Sequence, residues 1–329
     1  MKKRIAVLLG DGAGVGPELV AKCAVSGYLT EQCDPIILGD KRIFDRALKI
    51  INSEGYSYRL IEDFQNLTFD GQPCFYDMKN LNPDDFEIGK VSAVPGKASV
   101  EQIDLGIQLW KDQIVGAVLF APFNKASIKA YKGSSYISEQ TYMREVLQYD
   151  GPGCEINHMK NVFTTRATSH VPMTEIGKYI TTDVIKEAIR LLWNTMRDAG
   201  NEHPRIAVAA LNPHCGEYGT CGTEEITVIA PAVEAMVAEG IPCVGPISAD
   251  TLFNRAFNHD EFDGIVTMYH DQGQIALKLL GFEYGVSVEG GLPCPLVTPS
   301  HGTAFEIAGT GTATISAFNK ALLDAVAMA

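Results

Sequence analysis

At 329 residues the chain is too long for one compact core and suits two domains. Apolar residues make up 46% and charged residues 20%, a folded globular profile, and no apolar run reaches the ~18–20 residues of a membrane helix. The formal net charge of −13, with no basic cluster beyond Lys2-Lys3-Arg4, argues against a nucleic-acid-binding face.

Short β-branched runs alternate with helical patterns along nearly the whole chain. Met1–Arg4 followed by Ile5–Leu9 starts like a signal peptide, but Gly10-Asp11-Gly12-Ala13-Gly14 interrupts the apolar run too early, so Arg4–Leu9 reads as a first strand. Pro17–Ser26 follows as a helix with Pro near its start, then Pro35–Leu38 as a strand and Arg42–Ile51 as a helix. Glu101–Lys111 and Val115–Phe120 form the next helix and strand; Val162–Thr165 is a strand, Asp183–Met196 a helix and Arg205–Leu211 a strand. Glu224–Ala238 reads as a helix after a Gly-Thr cap, Asp263–Met268 as a strand and Phe318–Met328 as a final helix. The alternation predicts an α/β/α architecture with mostly parallel strands, in two α/β/α domains. The glycine- and proline-bearing turns near Pro122–Lys125 and Pro293–His301 place the boundaries: residues 1–125 plus 298–329 form one domain, and 126–297 the other. The eight cysteines contain no C-x-x-C pair and read as free thiols, which suits a reducing cytoplasm.

Three histidines carry the chemistry. His170 ends Thr164–His170, His214 sits in Asn212-Pro213-His214-Cys215-Gly216-Glu217, and His270 sits in Met268-Tyr269-His270-Asp271-Gln272-Gly273. The last two follow predicted strands, and ligands in open α/β sheets bind outside the carboxyl ends of strands. Three imidazoles there suit a catalytic Zn²⁺ site with room for substrate, with Asp250 and Asp271 orienting the ligands. Each histidine taken alone reads more readily as an ordinary loop residue; His158, His203 and His259 lie in polar stretches and read as solvated.

The small-residue run His301–Gly311 either brings backbone N–H groups to a phosphate or adenine, or is a tight turn into the last helix. Gly12-Ala13-Gly14-Val15-Gly16-Pro17 looks like a dinucleotide fingerprint but has Pro17 where glycine is required, and a Rossmann helix has no use for Pro-Glu at its start. A helix N-terminus beside a ligand is still compatible with it. Lys278, in an apolar helical run, is a snorkelling surface residue or a functional charge whose burial would suit acid/base work.

Together the segments Gly10–Glu18, Ala121–Lys125, Asn212-Pro213-His214, Ala249–Phe253, Tyr269–Gly273, Lys278–Phe282 and His301–Gly311 resemble the 4-hydroxythreonine-4-phosphate dehydrogenase family over nearly the whole chain. The resemblance implies a fold similar to isocitrate and isopropylmalate dehydrogenases, not a Rossmann fold, and a cytoplasmic homodimer with its active site at the subunit interface. It implies His170, His214 and His270 as ligands of a divalent metal, with zinc first and Mn, Co, Mg or Fe as alternatives. It matches Lys278 to a substrate-binding lysine. It makes His301, Gly302, Thr303, Ala304, Glu306, Ala308 and Gly309 the NAD contacts.

The departures fall on the substrate side. Where the family carries Gly-His-Thr-Glu, this chain has Ser138-Glu139-Gln140-Thr141; a family asparagine falls on Ser287, an arginine on Leu296 and a threonine on Glu289. That leaves Glu139, Gln140, Lys278, Ser287 and Leu296 at substrate positions. A phosphomonoester wants cationic donors, so trading a histidine and an arginine for carboxylates predicts an altered substrate, a polyhydroxylated or amine-bearing acid, that need not be phosphorylated. The expected reaction is metal- and NAD-dependent oxidation of a secondary alcohol in a small hydroxy acid. Lewis-acid polarisation brings the hydroxyl pKa down, as it does for metal-bound water. Lys278 or an Asp-linked water takes the proton, and loss of CO₂ from a β-keto acid can follow. A zinc hydrolase on the same histidines and a non-catalytic metabolite-binding homologue are the alternatives; no nucleic-acid or membrane partner is expected.

Overall fold

The computed structural model describes residues 2–281 and 283–329. Its strands among the described residues are β1 (Arg4–Leu8), β2 (Asp34–Gly39), β3 (Arg59–Ile61), β4 (Cys74–Asp77), β5 (Ala117–Phe120), β6 (Cys154–Met159), β7 (Val162–Arg166), β8 (Ile206–Ala209), β9 (Cys243–Ile247), β10 (Gly264–Thr267), β11 (Gly285–Gly290) and β12 (Leu296–Pro299). No helix among the described residues is long and apolar enough to cross a membrane.

The chain divides into two compact units, one running to Asp150 and resuming at Leu292, the other Gly151–Gly291. The expected boundaries at 125/126 and 297/298 are therefore corrected. Helices Lys125–Lys132 and Glu139–Leu147 pack on helix Ala93–Lys111, and Tyr136, Tyr142, Met143 and Leu147 join the same core as Val100, Ile103 and Ile107. Cys294 and Leu296 belong to that core too, so the chain is back in the first unit before residue 298.

In the first unit the strand order is β3-β4-β2-β1-β5-β12, and the pairings are parallel. The order places β3 at the outer edge, beside β4. Strands buried on both faces must be apolar throughout, which explains the runs Ile5–Leu8, Ile36–Leu38 and Ala117–Phe120. Helix Ala93–Lys111 covers β1, β2 and β5, and helix Ser316–Met328 covers β5 and β12.

In the second unit the order is β11-β6-β7-β10-β8-β9. β11, β6 and β7 pair antiparallel, while β7, β10, β8 and β9 run parallel. Helix Thr182–Asp198 lies against five of these strands through Ile185, Ile189, Leu192 and Met196, one apolar face at helical spacing. The helix expected over Glu224–Ala238 is interrupted: a π-helical turn spans Glu225–Ile229 before the α-helix Ala230–Ala238. Pro231 has no N–H for the Thr227 carbonyl, so the α-helical ladder cannot run through this point.

Candidate active site

In the second unit, β7, β10 and β8 are neighbours with the same direction, so the segments that leave their carboxyl ends emerge together. These are the His170 loop, the His270 helix (His270–Leu279) and the His214 turn (Pro213–Gly219). The His170 and His270 rings lie 5.8 Å apart, centroid to centroid, at 37°. His270 Nδ1 sits 2.7 Å from Asp271 Oδ1, so Nε2 is the ring nitrogen left for a ligand. His170 and His214 are exposed. Among the described residues, no three or more His, Cys, Asp or Glu side chains close around a common point, so within one chain His214 stands outside the His170–His270 pair.

The His214 turn is strained. His214, Cys215, Gly216, Glu217 and Tyr218 have φ of 52°, 55°, 74°, 44° and 57°, a run of left-handed backbone. Each non-glycine residue there costs about 1–2 kcal/mol, so the four together cost roughly 4–8 kcal/mol. A buried carboxylate opposes this. Glu225, 2% exposed, accepts from the Leu211 N–H (2.9 Å), the Asn212 N–H (2.7 Å) and Asn212 Nδ2 (3.0 Å). Glu224 takes Asn212 Nδ2 at 2.8 Å as well. Gln272 then ties the turn to the His270 helix: its Nε2 donates to the Ala210 carbonyl, and its Oε1 accepts from the Met268 N–H, both at 2.7 Å. Strain held in place by such surroundings is characteristic of functional segments.

Beside the histidine pair lies a polar network. Arg166 donates to Ser169 Oγ (2.6 Å) and to Glu155 Oε2 (3.2 Å); Gln274 donates to Asn157 Oδ1 (2.6 Å); Asn157 Nδ2 donates to Glu155 Oε1 (2.7 Å) and Ser287 Oγ (3.1 Å). Burial pushes the Glu155 carboxyl up, but the Arg166 charge and the Asn157 amide outweigh it and hold the group below its ordinary value. Ser287 is thus part of this network and half-buried. Lys278, Asp250 and Asp271 are exposed, so the burial that would have tuned Lys278 is absent within the chain. His158, expected to be solvated, is buried and stacked on Phe163 at 3.7 Å, because the two sit directly opposite on β6 and β7. His203 and His259 are exposed.

In the first unit, Thr303 is buried and fixed by Asn124 Nδ2 on its hydroxyl (3.1 Å) and the Val15 N–H on its carbonyl (3.0 Å). Around it His301, Ala304 and Ala308 are half-buried, and Gly302 and Glu306 are exposed. The Gly309 N–H is already given to Glu18, so it is not a free donor for a cofactor. Glu139 and Gln140 open helix Glu139–Leu147, capped by Ser138, which accepts from the Thr141 N–H at 3.1 Å. Gln140 Nε2 is enclosed with no hydrogen-bond partner among the described residues. Leu296 is fully buried in β12 as part of the core, so its assignment to substrate contact is corrected. Asp11, fully buried, accepts from the Ala13 N–H at 2.8 Å; burial raises its carboxyl from 3.8 to about 6. Glu18, Glu225, Gln272 and the Glu155–Arg166 pair were not picked out from the sequence. The one signal was the Pro-Glu that a Rossmann helix does not need.

A family model described as pyridoxal phosphate biosynthetic protein PdxA matches residues 31–325. A relative from Pseudomonas aeruginosa, named as a 4-hydroxythreonine-4-phosphate dehydrogenase, is 40% identical over 320 residues, spanning 97% of this chain and 94% of its own. One from Oceanobacillus iheyensis, named as a D-threonate 4-phosphate dehydrogenase, is 35% identical over 336 residues and spans 100% and 98%. The solved 4-hydroxythreonine-4-phosphate dehydrogenase of Klebsiella pneumoniae superposes with a TM-score of 0.86 at 31% identity, covering 100% of this chain and 99% of that one. The match extends over both units, and the relatives are named as dehydrogenases of hydroxy acids carrying a phosphate. The chain is accordingly an oxidoreductase acting on a CH–OH group, and it belongs to the PdxA family.

Proposed function

We propose that the chain oxidises the secondary alcohol of a small hydroxy acid with NAD, assisted by a divalent cation held by His170, His214 and His270. The observation that carries this reading is the meeting of His170 and His270 at 5.8 Å on neighbouring parallel strand ends, with Asp271 on the far nitrogen of His270. Neutral imidazoles oriented by a carboxylate are the donor set such a cation takes, zinc above all. When bound, the cation supplies Lewis-acid polarisation of the alcohol.

His214, outside the pair in one chain, agrees with a site completed across a homodimer interface. Ile275 and Leu279, four residues apart on the His270 helix, are 59% and 82% exposed, and Tyr218 on the His214 turn is fully exposed. Apolar residues left bare beside site residues favour a partner surface there. Lys278 lies on that same helix face edge and is the proton acceptor in this reading, with Asp250 and Asp271 as water-linked alternatives.

The segment 301–311 takes the cofactor. For the substrate, Glu139 and Gln140 in the first unit, and separately Ser287 and the Glu155 network in the second, offer acceptors to hydroxyl or ammonium groups and few cationic donors to a phosphate. The substrates in the relatives' names, 4-hydroxythreonine 4-phosphate and D-threonate 4-phosphate, are the first to try, followed by their non-phosphorylated counterparts. A β-keto acid formed by oxidation can go on to lose CO₂. The test is NADH formation across these acids with Zn²⁺ or Mn²⁺ added, on the chain and on His214→Ala. Turnover that the substitution abolishes is expected; full turnover after chelation, or in His214→Ala, overturns the metal assignment.

A further inference from the structure

The segment Gly10–Glu18 has the look of a nucleotide-binding loop, yet its groups face inward. Residues 10–18 are all buried. The Gly10 N–H goes to Gln102 Oε1 (3.0 Å), the Asp11 N–H to the Pro122 carbonyl (3.1 Å) and the Val15 N–H to the Thr303 carbonyl (3.0 Å). A Cβ on Gly14 would lie 2.7 Å from Thr303 Cβ, so glycine here admits the 301–311 segment rather than a phosphate. Arg46 closes the outer side by donating to the Gly12 carbonyl at 2.7 Å.

The far end of the 301–311 segment is gripped by the helix that follows the loop, Gly16–Val25. Glu18, 2% exposed, accepts the N–H of Gly309 at 2.6 Å and of Gly311 at 2.8 Å. Both glycines have left-handed backbone, φ 81° and 68°, which turns the two N–H groups toward one carboxylate. Lys22, one helical turn on, donates to the carbonyls of Gly311 (2.7 Å) and Ala313 (2.5 Å). A carboxylate thus takes the segment's donors while an ammonium four residues later takes its acceptors. With Asn124 on Thr303 at the near end, the segment is tethered on both sides of Ala304–Ala308.

We infer that Glu18 and Lys22 are positioning residues for the cofactor: they set NAD affinity by ordering the 301–313 backbone, without touching the dinucleotide. This rests on the reading that segment 301–311 binds NAD. The displaced motif also finds its use, since the Pro-Glu at the helix start presents the carboxylate to the segment.

The test is Glu18→Gln, read three ways on the full chain. Calorimetric titration with NAD⁺ should show a Kd at least about tenfold weaker, since hydrogen bonds to a charged acceptor are lost. Amide hydrogen exchange of the unliganded protein should speed up across 301–313 and not in the second unit. Zn²⁺ affinity, a property of the second unit, should stay within about twofold, which general destabilisation would not leave intact. If wild type takes no NAD⁺, the cofactor reading falls, and this inference with it. If wild type binds NAD⁺ and Glu18→Gln binds it within twofold, the inference alone is overturned. Should Glu18→Gln fail to fold, Lys22→Met, at a half-buried position, is expected to weaken NAD⁺ about threefold or more with the same exchange pattern; unchanged binding there overturns the inference equally.

Discussion

Replacing Glu225 with glutamine keeps the side chain's shape but turns one acceptor oxygen into a donor facing the N–H groups of Leu211 and Asn212 and the Asn212 amide. The carboxylate takes all three at 2.7–3.0 Å. Bonds to a buried charged acceptor are worth about 1.5–3 kcal/mol each, and the substitution forfeits at least one of them and opposes another, so the turn loses roughly 3 kcal/mol of support. The left-handed run from His214 to Tyr218 stores more than that, roughly 4–8 kcal/mol over its four non-glycine residues. Relaxation of the turn therefore recovers much of the loss. The outcome expected is local: His214 moves, while the strands beneath hold. On the proposal that His214 holds a cation, moving the turn that carries it should cost about 10–100-fold in affinity, the range for losing a ligand's supporting group. Calorimetric titration with Zn²⁺ should show about that fall, with a urea midpoint lowered only slightly. Zn²⁺ affinity within twofold of wild type, alongside a large drop in the urea midpoint, would show that Glu225 supports the fold and not His214.

Asp11→Asn addresses the buried carboxyl raised from 3.8 to about 6. The folded state holds that proton more tightly than the unfolded one, so this group's stability contribution is full below about pH 4 and is lost as pH rises to about 6. A shift of this size corresponds to about 3 kcal/mol. Urea unfolding of wild type between pH 4 and 7 should show this loss, and Asp11→Asn should lack it; parallel curves would refute the assignment. Asp271→Asn removes the carboxylate from His270 Nδ1 and is expected to weaken Zn²⁺ by about tenfold, whereas an unaltered titration would detach Asp271 from the site. His158→Ala removes a buried stack on Phe163 and should cost about 1–3 kcal/mol of stability with Zn²⁺ affinity intact, while His170→Ala does the reverse; metal loss in His158→Ala would point to the wrong histidine.

Much of the framework was legible in the residues. Parallel strands covered on both faces must be apolar throughout, so Ile5–Leu8 and Ala117–Phe120 announce themselves, as does the apolar stripe of Thr182–Asp198. β6 and β11 do not: Cys154–Met159 and Gly285–Gly290 mix polar and apolar residues, and are strands because they pair antiparallel with each other. The same cross-strand pairing buries His158, which its polar neighbours had marked as solvated.

The sequence by itself determined the residue types: three imidazoles near strand ends, a small-residue loop, and a fingerprint that fails at Pro17. Tertiary structure alone decided their company. His170 meets His270 because β7 and β10 lie side by side. Glu18 grips Gly309 and Gly311 from 291 and 293 residues away, across a separation at which local propensity carries no information. Patterning reports how each segment meets solvent, but which segments meet each other depends on strand order and on where buried charges find partners.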